Sequence, residues 1–169
     1  MNLNDERMLS VENYKKCGLA ELERLCSKKI FPGLNKMLET TSELLESIPD
    51  DHRNPEEHAA LTKHVHELLE LCKDHNAKEI MLINSFRTGK KQKNSSKASE
   101  VIPKLVNDHR RLQNLFQRLE QLSDQYGNNS KQTSLHRLVY ARINNARQDM
   151  ARMFFLEEEY LFPRLTGML

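Results

Sequence analysis

Near its C-terminal end the chain reads Phe154-Phe155-Leu156-Glu157-Glu158-Glu159-Tyr160-Leu161-Phe162-Pro163-Arg164-Leu165, so that three acidic residues lead directly into an apolar Leu-Phe-Pro element. Glu157 continues an apolar stripe at helical spacing, whose other members are Ile143, Ala146, Met150, Met153 and Leu161. Burying a carboxylate in such a stripe costs several kcal/mol unless a partner compensates its charge. In helical bundles that partner is often a metal ion, so the stretch predicts a buried helix face with a candidate metal ligand.

The composition indicates a helical protein with a single core. The 169 residues fit one domain, and 38% of them are apolar, with only five glycines and five prolines. The net charge is +2 with opposite charges interspersed, which excludes the strongly basic footprint of a nucleic-acid-binding protein. No segment approaches the roughly 20 apolar residues that span a bilayer, and the first residues lack a signal peptide's apolar segment. We therefore expect a cytoplasmic protein with reduced cysteines, no nucleic-acid partner and no membrane contact.

Apolar residues recur with the period of an α-helix along four parts of the chain. The predicted helices cover residues 18–48, 55–86, 99–127 and 131–162. Pro32 lies inside the first and should kink or break it, whereas Pro55 suits the first turn of the second. Gly127 is a good C-terminal stop for the third helix, and Pro163 is expected to close the fourth.

The links between these helices are short. Residues 88–97 form the longest of them, a basic and polar segment that we expect to be a mobile loop. Four long helices with short links predict an all-α, up-down-up-down four-helix bundle. We expect this bundle to occupy residues 18–169, with residues 1–17 as an N-terminal arm or a short extra helix.

Two histidines and one further glutamate stand on predicted core stripes. His75 and Glu79 are four residues apart on the second helix and project from the same face. His109 is the polar member of an otherwise apolar stripe on the third helix. Imidazole and carboxylate groups suit iron, manganese or zinc. Two alternatives stay open: a solvated His/Glu pair on the second helix, and a core histidine bonded to a neighbouring carboxylate on the third.

These residues lie in a pattern that resembles a known family. Asp108-His109-Arg110, a long helix and then Met153-x-x-x-Glu157-Glu158-Glu159-Tyr160-Leu161-Phe162-Pro163 resemble the second half of hemerythrin-like domains, and most closely the di-iron iron–sulfur cluster repair proteins. The first half is similar at Phe31-Pro32-Gly33-Leu34 and at His75-Asn76-Ala77-Lys78-Glu79. The resemblance covers about residues 26–165 and implies a hemerythrin-like four-helix bundle.

The resemblance also implies a set of metal ligands. The family's ligand positions fall on His75, Glu79, His109, Glu157 and His52, with His58 as the competitor of His52. Met153 and Ser27 stand where the family has histidines. A thioether is a poor ligand for iron, so a weakened di-iron site, a single metal ion and a metal-free polar core remain open. Cys26 adjoins Ser27 and could supply a thiolate, although a buried apolar cysteine is the default interpretation.

For function, the resemblance implies a protein that binds non-haem iron, as one ion or two. It would act in iron–sulfur cluster repair or in the response to nitric oxide or oxidative stress, with oxygen or nitric oxide as a small diatomic ligand. The rival hypothesis is a metal-free or single-metal descendant of the fold that serves as an interaction or sensor module. No nucleophile–base pair, Gly-rich phosphate loop or zinc-type cysteine motif occurs in the sequence, so we expect no catalytic residues.

Overall fold

The computed structural model describes residues 11–48, 55–88, 91–127 and 134–167, and these residues contain helices and no strand. The helices are α1 (Val11–Lys16), α2 (Leu19–Leu25), α3 (Phe31–Glu46), α4 (Pro55–Thr88), α5 (Lys91–Gly127), α6 (Ser134–Leu156) and α7 (Phe162–Thr166). A first π turn (Cys26–Ile30) joins α2 to α3, and a second π turn (Glu157–Leu161) joins α6 to α7. The described chain thus forms four long helical rods preceded by the short α1.

The rods pack as a bundle in which neighbours along the chain are neighbours in space. The α3 segment contacts α4 and α6, α4 contacts α5, and α5 contacts α6 and α7. The first rod therefore lies beside the second and the fourth, as short links between antiparallel helices require. The prediction of an all-α, hemerythrin-like helical bundle is confirmed.

The apolar core consists of two clusters that meet near the π turns. The first fills the long body of the bundle and includes Phe31 and Phe154. The second surrounds both π turns and includes Cys26, Leu161 and Phe162. Since aromatic rings from both clusters contact His109 or His75, the buried polar residues lie at the junction of the two.

Pro32 and Pro163 do not end their helices. The prediction that Pro163 closes the fourth helix is therefore wrong. Each proline follows a π turn, in which the phenylalanine before it donates its backbone N–H to the carbonyl five residues earlier, at Cys26 or at Glu157. The wider turn relieves the clash between the proline ring and the preceding carbonyls. The predicted kink at Pro32 takes this form, and α7 continues past Pro163 until Gly167 adopts φ 76°.

The third helix begins earlier than its sequence predicts. It starts at Lys91 rather than near Ser99, so the prediction of a loop over residues 88–97 is wrong for most of that segment. Ala98, one residue before the predicted start, is fully buried in the cluster around the π turns. This contact fixes the turn before Ser99, and lysine and glutamine are good helix formers that extend it towards the N-terminus. Residues 89–90 lie outside the described part of the chain.

The short α1 packs on the end of the bundle that carries the π turns. Tyr14 is buried, and its hydroxyl accepts hydrogen bonds from Arg152, at 3.0 Å from Nε and also from Nη2. Arg164 donates to the backbone carbonyl of Lys15 at 3.0 Å. Gly18 then caps α2, and the domain boundary between residues 17 and 18 stays a prediction. Across the described residues, no helix combines the length and apolarity needed to cross a membrane.

Candidate metal centre

Three of the predicted ligands meet inside the bundle. One ligand atom each from His75, His109 and Glu157 lies within 4.8 Å of the other two. These side chains come from α4, from α5 and from the first residue of the second π turn, and none is more than 1% exposed. Among the described residues this is the group of histidine and acidic side chains whose spacing suits a metal ion.

His109 is held between two carboxylates. Its Nε2 lies 2.8 Å from Glu157 Oε2, and its Nδ1 lies 2.5 Å from Glu158 Oε1. Burial acts to lower the pKa of His109, but the bonds to Glu157 and Glu158 outweigh it and raise that pKa. Because a carboxylate accepts, both ring nitrogens donate, and His109 is an imidazolium in this arrangement.

Glu157 lies next to both histidines. His75 Nε2 lies 3.4 Å from the same Oε2 that His109 contacts. Burial acts to raise the pKa of Glu157, yet the interactions with His109 and His75 lower it overall. The carboxylate is therefore charged and in an ion pair, which offsets much of the cost of burying it.

Aromatic rings set the orientation of the two imidazoles. The His109 ring stacks on Phe154 at 3.9 Å between centroids and faces Phe162 at 5.9 Å. The His75 ring stacks on Phe31 at 5.4 Å. Phe31 and Phe162 are the residues that follow the two π turns, so the Phe-Pro elements of the sequence place apolar walls on the candidate ligands.

Several buried polar atoms of the centre have no hydrogen-bond partner within the described structure. They are both ring nitrogens of His75, both carboxylate oxygens of Glu79 and Oε1 of Glu157. Such atoms are rare in native proteins, and a bound ion is one common explanation. Imidazole nitrogens and carboxylate oxygens are donors for iron and other divalent transition metals, so these residues fit a metal ion.

Glu79 differs from the other predicted ligands in its electrostatic state. It is fully buried but lies outside the compact group of His75, His109 and Glu157. Burial, with the negative charges of Glu157 and Glu23, raises its pKa well above the usual range. Both of its oxygens lack a hydrogen-bond partner in the described structure, so burial disfavours the charged form of Glu79.

Charged residues next to the centre support His75 from outside. Asp108 is 3% exposed, and its Oδ2 lies 4.0 Å from His75 Nδ1. The same oxygen accepts a 2.8 Å hydrogen bond from Lys78, whose pKa is raised by its bonds to Asp108 and Asp74. A carboxylate beside the distal nitrogen of a ligating histidine is the usual arrangement that orients the ring towards a metal.

The remaining predicted positions are not part of the compact group. His52 lies outside the described residues. His58 meets His136 edge-on at 5.9 Å between ring centroids, and 17 residues of helix separate it from His75 by about 25 Å. Met153 is fully buried in apolar core, and the Oγ of Ser27 is buried without a hydrogen-bond partner in the described structure. The structure therefore places no third histidine at this site among the residues it describes.

Sequence reasoning missed Glu23 and gave no role to Asp108 or Glu158. Glu23 is 7% exposed on α2 and is one of the charges that raise the pKa of Glu79. It stands four residues before Ser27 and eight before Phe31, so the helical stripe that contains these residues could have revealed it. Glu158 is partly exposed, and its carboxylate pairs with His109.

Comparison with known proteins bears on the C-terminal part of this centre. No curated protein and no solved structure gives a significant match to the chain. A known protein family matches residues 100–168 of the chain. This segment includes His109 and Glu157 but neither His75 nor Glu79. Over these residues the chain is similar to the hemerythrin HHE cation binding domain.

Proposed function

We propose that this protein binds non-haem iron in the buried centre formed by His75, His109 and Glu157, with Glu79 as a further carboxylate ligand. The observation that carries the proposal is the convergence of the first three ligand groups within 4.8 Å in a fully buried site. The unbonded carboxyl of Glu79 supports it, because a cation would turn a destabilising buried group into a ligand. The similarity of residues 100–168 to a cation-binding domain points the same way.

The donor set favours one iron over two. A pair of irons needs roughly ten to twelve ligand atoms, including those from water or bridging oxygen. Met153 and Ser27 supply no imidazole, and the two histidines and two glutamates offer about half of that number. A single ion held by these four side chains would keep a position open, and bound iron would supply the affinity for oxygen or nitric oxide there.

The biological role that we propose is a part in iron–sulfur cluster repair or in the response to nitric oxide or oxidative stress. It rests on the resemblance of the Met153–Pro163 pattern to the cluster repair proteins. The apolar walls made by Phe31, Phe154 and Phe162 support a small diatomic ligand, because an apolar lining favours small uncharged molecules over polar substrates.

The test is the metal content of the protein after anaerobic reconstitution with ferrous iron. We expect about one iron per chain, and at least about tenfold weaker binding after His109→Ala or Glu157→Gln. Glu57→Gln is the matched control, because Glu57 is also a buried glutamate, on α4, but accepts a 2.6 Å hydrogen bond from Tyr140. A wild-type protein that takes up no metal and shows unchanged thermal stability would contradict the proposal.

A second candidate function is a metal-free interaction or sensor module. The bond network of His109 with Glu157 and Glu158 favours it, because this ion pair satisfies its charges without a metal. Glu79→Ala separates the two candidates. For a metal-binding protein the affinity for iron should collapse, whereas for a metal-free module the variant should change only the stability.

A further inference from the structure

Two arginines fasten the short helix α1 to the bundle. Tyr14 of α1 is 4% exposed and packs in the apolar cluster around both π turns. Its hydroxyl accepts hydrogen bonds from Arg152, at 3.0 Å from Nε and also from Nη2. Arg164 Nη2 donates to the backbone carbonyl of Lys15 at 3.0 Å. Because Arg152 lies on α6 and Arg164 on α7, α1 is tied to both of the helices that the second π turn joins.

These two arginines lie next to the aromatic rings that contact His109. Arg152 is two residues before Phe154, and the ring of Phe154 stacks on His109 at 3.9 Å between centroids. Arg164 is two residues after Phe162, whose ring faces the same imidazole at 5.9 Å. The anchors of α1 are therefore set on the segments that carry two apolar walls of the candidate metal centre.

The docking of α1 depends on these anchors. The helix has six residues, which is too short for a stable helix on its own in water. Lys15 and Lys16 are exposed, so Tyr14 is the buried anchor among the α1 side chains that the structure describes. A segment held by a few contacts opens locally at a lower free energy than the core of the protein. Loss of one anchor should therefore release α1 while the four rods stay packed.

The candidate metal centre requires a local opening of this kind. His75, His109 and Glu157 are at most 1% exposed, so a hydrated metal ion cannot reach them without movement of the surrounding groups. Separation of the rods would expose the apolar core along their length, whereas release of α1 exposes the end that carries the π turns. The rival route runs past Glu158, which bonds to His109 and is 41% exposed.

We propose that α1 is a strap that controls the entry and loss of the metal ion, and that the contact between Tyr14 and Arg152 is its latch. The inference rests on the proposed function. The strap is docked in the metal-free structure and supplies no atom to the group of His75, His109 and Glu157. Since docking does not distinguish the metal-free state from the metal-bound state, the latch should change the rates of uptake and loss equally and leave the affinity unchanged.

Cysteine labelling measures the release of the strap without any metal. Cys26 is fully buried in the same cluster as Tyr14, whereas Cys72 is fully buried in the cluster that fills the body of the bundle. A maleimide followed by peptide mass spectrometry gives the rate at each cysteine, and each rate follows the population of the open form. Tyr14→Phe keeps the ring but removes the hydroxyl of the latch, so Cys26 should react about tenfold faster and Cys72 at an unchanged rate.

Iron exchange measures the control of the metal. Transfer of ferrous iron from the loaded protein to a chromogenic chelator gives the rate of loss, and stopped-flow mixing gives the rate of uptake. Both rates should rise about tenfold in Tyr14→Phe, with an unchanged Kd. Tyr140→Phe is the matched control, because Tyr140 also donates a hydrogen bond, at 2.6 Å to Glu57, and lies on α6 about 18 Å along the helix from Arg152. It should change neither the iron rates nor the labelling.

The outcomes distinguish the strap from the proposed function. Unchanged labelling of Cys26 in Tyr14→Phe, or equal acceleration at Cys72, overturns the strap and leaves metal binding intact. Faster labelling of Cys26 with unchanged iron rates overturns its control of exchange and favours entry past Glu158. Failure of the wild type to bind iron overturns the proposed function itself, whatever the labelling shows. Arg152→Lys keeps the charge but not the paired donors, so it should reproduce the effects of Tyr14→Phe, and unchanged rates in both variants overturn the latch.

Discussion

Replacing Glu79 by methionine should stabilise the metal-free protein and abolish its stabilisation by metal. Glu79 is fully buried, and neither carboxylate oxygen has a hydrogen-bond partner in the described structure. Methionine has a similar length and no polar group, so the variant removes the unsatisfied carboxyl without opening a large cavity. An unsatisfied buried polar group costs about 1–3 kcal/mol, and Glu79→Met should raise the free energy of unfolding by about that amount.

The difference between wild type and Glu79→Met should grow with pH. The pKa of Glu79 is raised in the folded protein by burial and by the charges of Glu157 and Glu23. Below the ordinary glutamate pKa both states are protonated, and Glu79 then contributes no pH dependence. Above it the unfolded chain ionises first, so the wild type loses stability by up to about 1.4 kcal/mol per pH unit until the folded pKa is reached. The methionine variant lacks this loss.

Urea denaturation of chelator-treated protein, at several pH values between about 5 and 8, measures both effects. Glu57→Met is the control: it removes another buried glutamate of α4 but breaks its hydrogen bond from Tyr140, so it should destabilise the protein. Iron at a hundredfold excess over its Kd should then stabilise the wild type by about 2.7 kcal/mol and leave Glu79→Met unchanged. The reasoning is refuted if Glu79→Met destabilises the metal-free protein as much as Glu57→Met does at every pH.

Three further substitutions test other parts of the centre. Met153→His should strengthen iron binding at least about tenfold while destabilising the metal-free protein by about 1–3 kcal/mol, which competition titration and urea denaturation would show. Asp108→Asn weakens the support of His75 and should lower iron affinity about tenfold by calorimetry. Glu158→Gln removes one charge that raises the pKa of His109, so metal binding, which requires a neutral imidazole, should extend to lower pH in a pH series of titrations.

The burial of Glu157 could be predicted from the sequence because it depends on one helix alone. The stripe Ile143, Ala146, Met150 and Met153 is buried as a set, and Glu157 continues it at zero exposure. The contacts of Glu157 depend on the register between helices, which periodicity within each helix does not determine. The pairing of His109 with both Glu157 and Glu158 depends on this register, and so does the separation of Glu79 from the compact group.

Pro163 shows why the rule that proline disrupts a helix predicted a wrong end for the fourth helix. Pro32 and Pro163 each lack an N–H and exclude an ordinary α-helical turn before them, as the rule states. A π turn satisfies the same restriction without ending the helix. The repeated Phe-Pro pair, at Phe31-Pro32 and Phe162-Pro163, is the sequence signal that could have predicted both π turns.

In the metal-free centre, the polar groups on one side have compensating partners and those on the other side do not. This difference indicates where a cation would act. On one side the positive charge of His109 compensates Glu157 and Glu158, so a metal must displace a proton from the imidazole before that nitrogen can coordinate. On the other side burial and neighbouring negative charge raise the pKa of Glu79, whose two carboxylate oxygens have no hydrogen-bond partner in the described structure. A dication would compete with a favourable ion pair on the first side but relieve an unfavourable environment on the second. Glu79 should therefore contribute more of the net binding free energy than the histidines that first identify the site.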